Sequence, residues 1–298
     1  MGKDYLKVRV PATSANLGAG FDVFGIALET PFDIIEVENS EKIEIKITGK
    51  GSEYIPTDPR KNTAGVVTSI LGKTVKITIN RNIPLSSGLG SSAAPAAGIA
   101  FALNEMYDIG LSGEELVRVA AKGEEAASGV AHADNVAPAI FGGFAIVRKD
   151  KIISIMPENI GIVAVHPDII VSTRAARAML PKNMPLDDIS FNTASAASMV
   201  VGMMKSDIRL IGESMESRVI EEIRSKLIRG YAQVKEKALE AGAAGVTISG
   251  SGPTMIAVCR MEERKKIANA MTTAFTESNV KSEAFITTIG KGAEIIGS

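Results

Sequence analysis

No tryptophan occurs in the 298-residue sequence, and it has only one cysteine and two histidines. The lone Cys259 excludes an internal disulfide framework and a cysteine-clustered zinc site, and its alternating apolar run (TMIAVC) predicts a core position. A dominant charge sign is missing as well: 33 Lys and Arg stand against 34 Asp and Glu, for a formal net charge of −1. Nothing in that balance draws the chain to nucleic acid or to an anionic membrane, and neither is expected as a partner. Long hydrophobic runs are absent too. The longest uncharged stretch, 82–104, opens with Pro84, serines and glycines, which leaves it short of the ~20 apolar residues of a membrane span. The start, MGKDYLKVRVP, lacks a signal peptide's apolar core, and Leu6 stands where a myristoylation signal needs Ser or Thr. A cytoplasmic location is therefore expected. A homodimer is left open.

Folding capacity is plentiful by contrast. With 45% hydrophobic and 22% charged residues the chain is far from disordered composition. Its length suits about two domains at roughly 100–200 residues each. Period-2 alternation predicts strands over 5–10, 32–37, 42–48, 75–79 and 143–148, with a polar, glycine-rich loop over 11–25. Helices are predicted over 63–71, after Gly90, and over 113–127, the last opened by a Ser112–Glu115 capping box. The helix after Gly90 is so rich in small residues that it must pack closely. From 160 onward, GIVAVHP and DIIVST read as strands, and Thr173 caps an Arg- and Ala-rich helix that stops before Pro181. Helical stretches over 188–205 and 207–241 follow, then a strand-loop-helix boundary over 245–258, a helix over 261–278 and an end strand over 282–289. This order predicts an α+β fold of two lobes, 1–155 and 156–298, without internal repeats.

The 28 glycines matter by position. PLSSGLGSSAA, 84–94, follows a strand and leads into an apolar helix, so backbone N–H groups and a helix N-terminus converge as a phosphate site requires. Taken alone, a Gly/Ser loop entering a helix reads equally well as a turn. Two other phosphate motifs fail. Gly72-Lys73-Thr74 ends like a Walker loop, but Val67 stands where its first glycine belongs and a strand follows. Gly88-x-Gly90-x-x-Ala93 imitates a dinucleotide fingerprint, yet 80–87 separates it from the preceding strand. The second loop, 11–22, offers Asn16 and Asp22 as an amide and a carboxylate for a hydroxylated or amino substrate, or as an Asx-rich turn. The third, Ser249–Pro253, reads by itself as a turn.

In this order and at these separations, the three segments resemble the three motifs of the GHMP kinases. TSANLGAGFDVFG and HADNVAPAIFGGF are most similar to archaeal homoserine kinases, and the resemblance spans essentially the whole chain. It implies a two-lobed GHMP kinase fold, with an N-terminal lobe like domain 2 of ribosomal protein S5 and a C-terminal ferredoxin-like α/β plait. It further implies ATP-dependent, Mg²⁺-assisted phosphorylation of the side-chain hydroxyl of L-homoserine, a step of threonine biosynthesis.

On the resemblance, Pro84, Leu85, Ser86, Ser87, Gly88, Leu89, Gly90, Ser91, Ser92, Ala93 and Ala94 form the ATP phosphate loop, and Ser92 with Glu124 holds Mg²⁺. Glu124 is assigned by spacing, with Glu125 adjacent. The resemblance implies that Asn16 orients the attacking hydroxyl and Asp22 pairs with the substrate ammonium. His132 and Asn135 add polar contacts, and Thr173, Arg177 and Arg224 close on the carboxylate. Arg174 is expected to be solvated and His166 structural.

Mevalonate and galactose kinases of the family place an aspartate base near HADN. Here Asp134 and Asn135 are adjacent, and the homoserine kinases are read with the asparagine in that place. Such an enzyme relies on positioning and Mg²⁺, which suits the loose transition state of phosphoryl transfer. The rival readings are another small-molecule kinase of the family, mevalonate- or shikimate-type, and a non-catalytic ATP or small-molecule sensor on the same scaffold.

Overall fold

The computed structural model describes residues 3–129, 131–149 and 151–298. β1 (Tyr5–Asn16) and β2 (Gly20–Asn39) form a long antiparallel hairpin in which Val8 faces Ile35 and Leu6 faces Val37, all fully buried. β3 (Glu44–Gly49), α1 (Thr63–Ile70) and β4 (Val75–Arg81) follow, and β4 pairs antiparallel with β2 but parallel with β3. α2 (Ala93–Tyr107) buries a run of alanines, the close packing that its small side chains allow. The Ser112–Glu115 capping box closes at the start of α3 (Gly113–Ser128), with the Ser112 N–H donating to Glu115 at 2.8 Å. α4 (Ala133–Phe141), β5 (Phe144–Arg148) and β6 (Lys151–Ile155) complete this half.

The second half contains β7 (Gly161–Pro167), α5 (Thr173–Ala178), α6 (Leu186–Lys205), α7 (Ile208–Glu213), α8 (Ile220–Ser225) and α9 (Tyr231–Glu240). It ends with β8 (Gly245–Ile248), β9 (Met255–Cys259), α10 (Arg264–Glu277), β10 (Ser282–Thr288) and β11 (Glu294–Gly297). The first sheet runs β11-β1-β2-β4-β3, with β5 on β2 and β6 on β5; the second runs β10-β7-β9-β8. α2 and α4 pack on β1 and β2, while α9 and α10 pack together beside the second sheet. One apolar cluster joins the lobes, from Val8 and Ile35 to Ile162, Met199 and Val258.

Several expectations are corrected. Residues 11–25 are mostly strand, with Thr13 facing Ala27 and Ala15 facing Gly25, so only 17–19 remain as a turn. Backbone pairing holds most of these residues extended despite their weak propensity, while Asn16 at φ 73° and Asp22 at φ 58° are left-handed. Residues 168–172 are not a strand, and Ser172, not Thr173, caps α5 by accepting from the Ala175 N–H. The stretch 207–241 breaks into α7, α8 and α9, with Gly230 left-handed at φ 84° before α9. Residues 245–258 form a β-hairpin with no helix, because the apolar run of β9 is buried between β7 and β8. Residues 289–298 were expected in the second lobe, yet β11 pairs with β1 in the first sheet. Cys259 is buried at the end of β9.

Candidate active site

Two close approaches build the site. Gly88 is left-handed at φ +80°, and a Cβ there would come 2.4 Å from the Ser249 carbonyl, so glycine lets the 84–94 loop meet the 249–253 turn. Ser249 Oγ donates to the Gly88 carbonyl at 2.7 Å, and the Gly250 N–H donates to Ala15 at 3.0 Å. At Gly25 a Cβ would sit 1.9 Å from the Asp134 carbonyl, so β2 admits the first turn of α4. All three glycine-dense segments thus converge where the two sheets meet.

Between them lies an open cleft with a cavity volume of about 90 Å³. Asn16, Asp22, Glu124, His132, Asp134, Asn135, Thr173, Arg177 and Arg224 all line it. From the 84–94 loop, Ser86, Gly88, Gly90, Ser91, Ser92 and Ala93 reach it. Pro84, Ser87, Leu89 and Ala94 are buried outside it, and Leu85 faces a neighbouring pocket. Arg174 is exposed, and His166 lies away from the cleft, 3.3 Å from Thr254 Oγ1.

At one end, Ser92 Oγ donates to Glu124 Oε1 at 2.6 Å. Burial raises the Glu124 carboxyl to about 8, against the lowering effect of the Ser92 hydrogen bond. Glu125 is exposed. A hydroxyl and a carboxylate are hard oxygen donors, and they fit Mg²⁺, which takes few protein ligands and completes its shell with phosphates and water. Among the described residues no group of three or more His, Cys, Asp and Glu could hold a metal on protein ligands alone.

At the other end, Arg177 donates to both oxygens of Asp22, at 2.7 and 2.9 Å. Arg224 is almost fully buried, donates to the Gly250 carbonyl at 2.8 Å, and has no partner at Nε among the described residues. The Phe21 ring lies 5.4 Å from the Arg177 guanidinium and 5.2 Å from that of Arg224. Asn16 accepts the Asp22 N–H at 3.0 Å and donates to the same Gly250 carbonyl at 2.9 Å.

Between the two ends, Asn135 Oδ1 accepts from Thr13 Oγ1 at 2.9 Å. Burial, together with the Asp22 charge, raises the Asp134 carboxyl to about 7. Burial and the Arg177 charge lower the His132 pKa, and among the described residues the buried His132 Nε2 has no hydrogen-bond partner. Thr173 Oγ1 lies 3.1 Å from Ser251 Oγ.

A second, more apolar pocket shares Ser91 and Ser92 with the cleft and adds Ile47, Ile55, Ile79 and Pro95. Asn62 and Arg81 border it. Sequence reasoning missed Thr13, Phe21, Ser251 and this pocket. Thr13 and Phe21 lay inside a motif already singled out, whereas Asn62 carried no signal beyond its place before α1.

The fold and the site define a class. The family model for the GHMP kinases N terminal domain matches residues 61–143, and that for GHMP kinases C terminal matches 199–277. The chain belongs to the GHMP kinases. Within that class, it is 51% identical over 293 residues to a homoserine kinase of Methanocella arvoryzae, covering 98% of each chain. It is also 51% identical to a homoserine kinase of Haloarcula marismortui, covering 97% of this chain and 99% of the relative. A crystal structure of homoserine kinase from Cytophaga hutchinsonii superposes with a TM-score of 0.91 at 36% identity, covering 99% of this chain and 98% of the other. A mevalonate kinase from L. major, at 17% identity and a TM-score of 0.74 over 98% and 96% of the chains, shares the fold.

Proposed function

We infer that this chain is a homoserine kinase, transferring the γ-phosphoryl group of ATP to the side-chain hydroxyl of L-homoserine to give O-phospho-L-homoserine. The observation that carries this reading is the charge layout of the cleft. A phosphate loop and a buried Glu124 stand at one end, and Asp22, Arg177 and Arg224 at the other. One carboxylate and two guanidiniums suit the ammonium and carboxylate of an amino acid, and Asn135 lines the same cleft for its hydroxyl.

The chain's residues divide the work. Backbone N–H groups of the phosphate loop and the N-terminus of α2 take the phosphates, and the adjoining apolar pocket takes the adenine. Ser92 and Glu124 would hold Mg²⁺, which supplies charge neutralisation at the transferring group. Asn135, fixed by Thr13, orients the hydroxyl with Asn16. His132 adds a polar contact, and Thr173 with the two arginines fixes the carboxylate. Asp134 stands beside the reacting centre without being needed as a strong base, because a loose transition state demands little early deprotonation. We assign ATP binding mainly to residues 1–155, with 156–298 supplying the carboxylate-binding arginines. Among the described residues no helix is long and apolar enough to cross a membrane, and the proposal includes a cytoplasmic location.

Phosphorus NMR tests the reading. Incubation with MgATP and L-homoserine is expected to give a phosphomonoester resonance coupled to the C4 methylene protons. Production of ADP and inorganic phosphate alone would contradict it.

A further inference from the structure

Arg224 has an acidic neighbour on its own helix. Glu221 stands three residues earlier on α8, and an acidic residue three positions before an arginine is placed to pair with it. It does not. Glu221 Oε1 accepts from Tyr231 Oη and Lys235 Nζ, and Oε2 accepts from Thr247 Oγ1 at 2.9 Å. Both oxygens are turned toward β8 and α9, in a position only 8% exposed. Among the described residues Arg224 has no ion-pair partner, and its one polar partner is the Gly250 carbonyl at 2.8 Å. The Asp22 and Asp134 charges act on this guanidinium without reaching ion-pair distance, so its burial stays costly until a ligand supplies a carboxylate in contact.

We propose that Glu221 is a positioning residue, held by Tyr231, Lys235 and Thr247 so that Arg224 remains unpaired and aimed into the cleft for the substrate's carboxylate. The inference rests on the reading of the cleft as a carboxylate-bearing alcohol's site. A six-residue helix has little stability of its own, and the Glu221 anchor ties α8 to the second sheet. The three donors also hold the acidic side chain one helical turn from Arg224 turned away from it, with Lys235 supplying its counter-charge. Glu222, the helix's other acidic residue, is largely exposed, beside Lys226.

Freeing Glu221 should therefore weaken the acceptor's binding and nothing else. Tyr231→Phe and Lys235→Met, singly and together, remove donors from Oε1 and lie outside the substrate and ATP contacts. The double variant is expected to raise the KM for L-homoserine about tenfold, equivalent to about 1.4 kcal/mol. Its kcat and KM for ATP should stay within about twofold. Adding Glu221→Gln to the double variant removes the competing charge and should bring the homoserine KM back to within about threefold of wild type.

A purely structural role predicts the opposite, because the third substitution would only add damage. A KM that fails to rise in the donor variants, or one that Glu221→Gln does not restore, overturns the proposal. If the double variant does not fold, Lys235→Met with and without Glu221→Gln makes the same comparison. The wild-type arm separates the two claims. If another carboxylate-bearing alcohol is the substrate, the reading as a homoserine kinase fails and the comparison is made with that acceptor. An acceptor without a carboxylate overturns both.

Discussion

Arg177 is bound through both oxygens of Asp22, at 2.7 and 2.9 Å, across the mouth of the cleft. The pair joins a residue of β2 to one of α5, so it links the two lobes. It also mirrors the proposed substrate. On the proposed reading, an amino acid's carboxylate would replace Asp22 at Arg177, and its ammonium would replace Arg177 at Asp22. A ligand carrying only one of these charges would strand the other partner.

Asp22→Ala should accordingly raise the KM for L-homoserine by about 10- to 100-fold, the worth of one charge-assisted contact, while the KM for ATP changes little. Steady-state kinetics with each substrate varied in turn checks this. Equal increases in the two KM values would contradict the assignment.

Asp134→Asn should slow turnover by less than about 10³-fold with the fold and ATP binding intact, since positioning carries more of this reaction than proton abstraction. Single-turnover measurements decide it. A greater loss would make Asp134 the general base, a role for which a carboxyl raised to about 7 is well suited.

The same residue gives a pH dependence of stability. Burial raises the Asp134 carboxyl from 3.8 to about 7, so the folded protein binds that proton more tightly than the unfolded chain. Stability from this group is present below the unfolded value and falls as pH rises through 7. Glu124, raised to about 8, extends the fall. The melting temperature of the ligand-free protein should drop between pH 5 and 8, and Asp134→Asn should flatten the part up to 7. An unchanged slope in the variant would show that the group is not perturbed by its burial.

Gly88→Ala should cost about 3 kcal/mol in chemical denaturation and raise the KM for ATP. A side chain there meets both a left-handed backbone and the Ser249 carbonyl 2.4 Å away. An alanine variant of wild-type stability would contradict this account of how the loops join.

Much of this site was legible in the sequence because its chemistry lies in short local motifs. Asn16, Asp22 and Ser92 each sit in a segment whose glycines and polar residues stand out from the surrounding apolar periodicity, whereas His132 and Asn135 were reached only through the resemblance to the homoserine kinases. Glu124 could be placed only to within one residue by spacing; burial separates it from the exposed Glu125. The fold was less legible where tertiary context overrode propensity. Residues 11–25 look like a loop, yet strand pairing and α4 hold most of them extended. β9 reads as a helix start until β7 and β8 are seen on either side of it. The return of β11 to β1 has no local signal, since pairing between Arg9 and Glu294 spans nearly the whole chain. The Glu221 anchor was invisible for the same reason, its donors coming from α9 and β8.

The central claim is that the cleft selects an amino-acid alcohol. A coupled ADP-release assay with MgATP, run against L-homoserine, mevalonate, shikimate, galactose and L-serine, tests it most directly. The account predicts the highest kcat/KM for L-homoserine, with mevalonate, shikimate and galactose near the acceptor-free background because they lack the ammonium that Asp22 requires. Preference for mevalonate or shikimate, or no release above background with any acceptor, would contradict it.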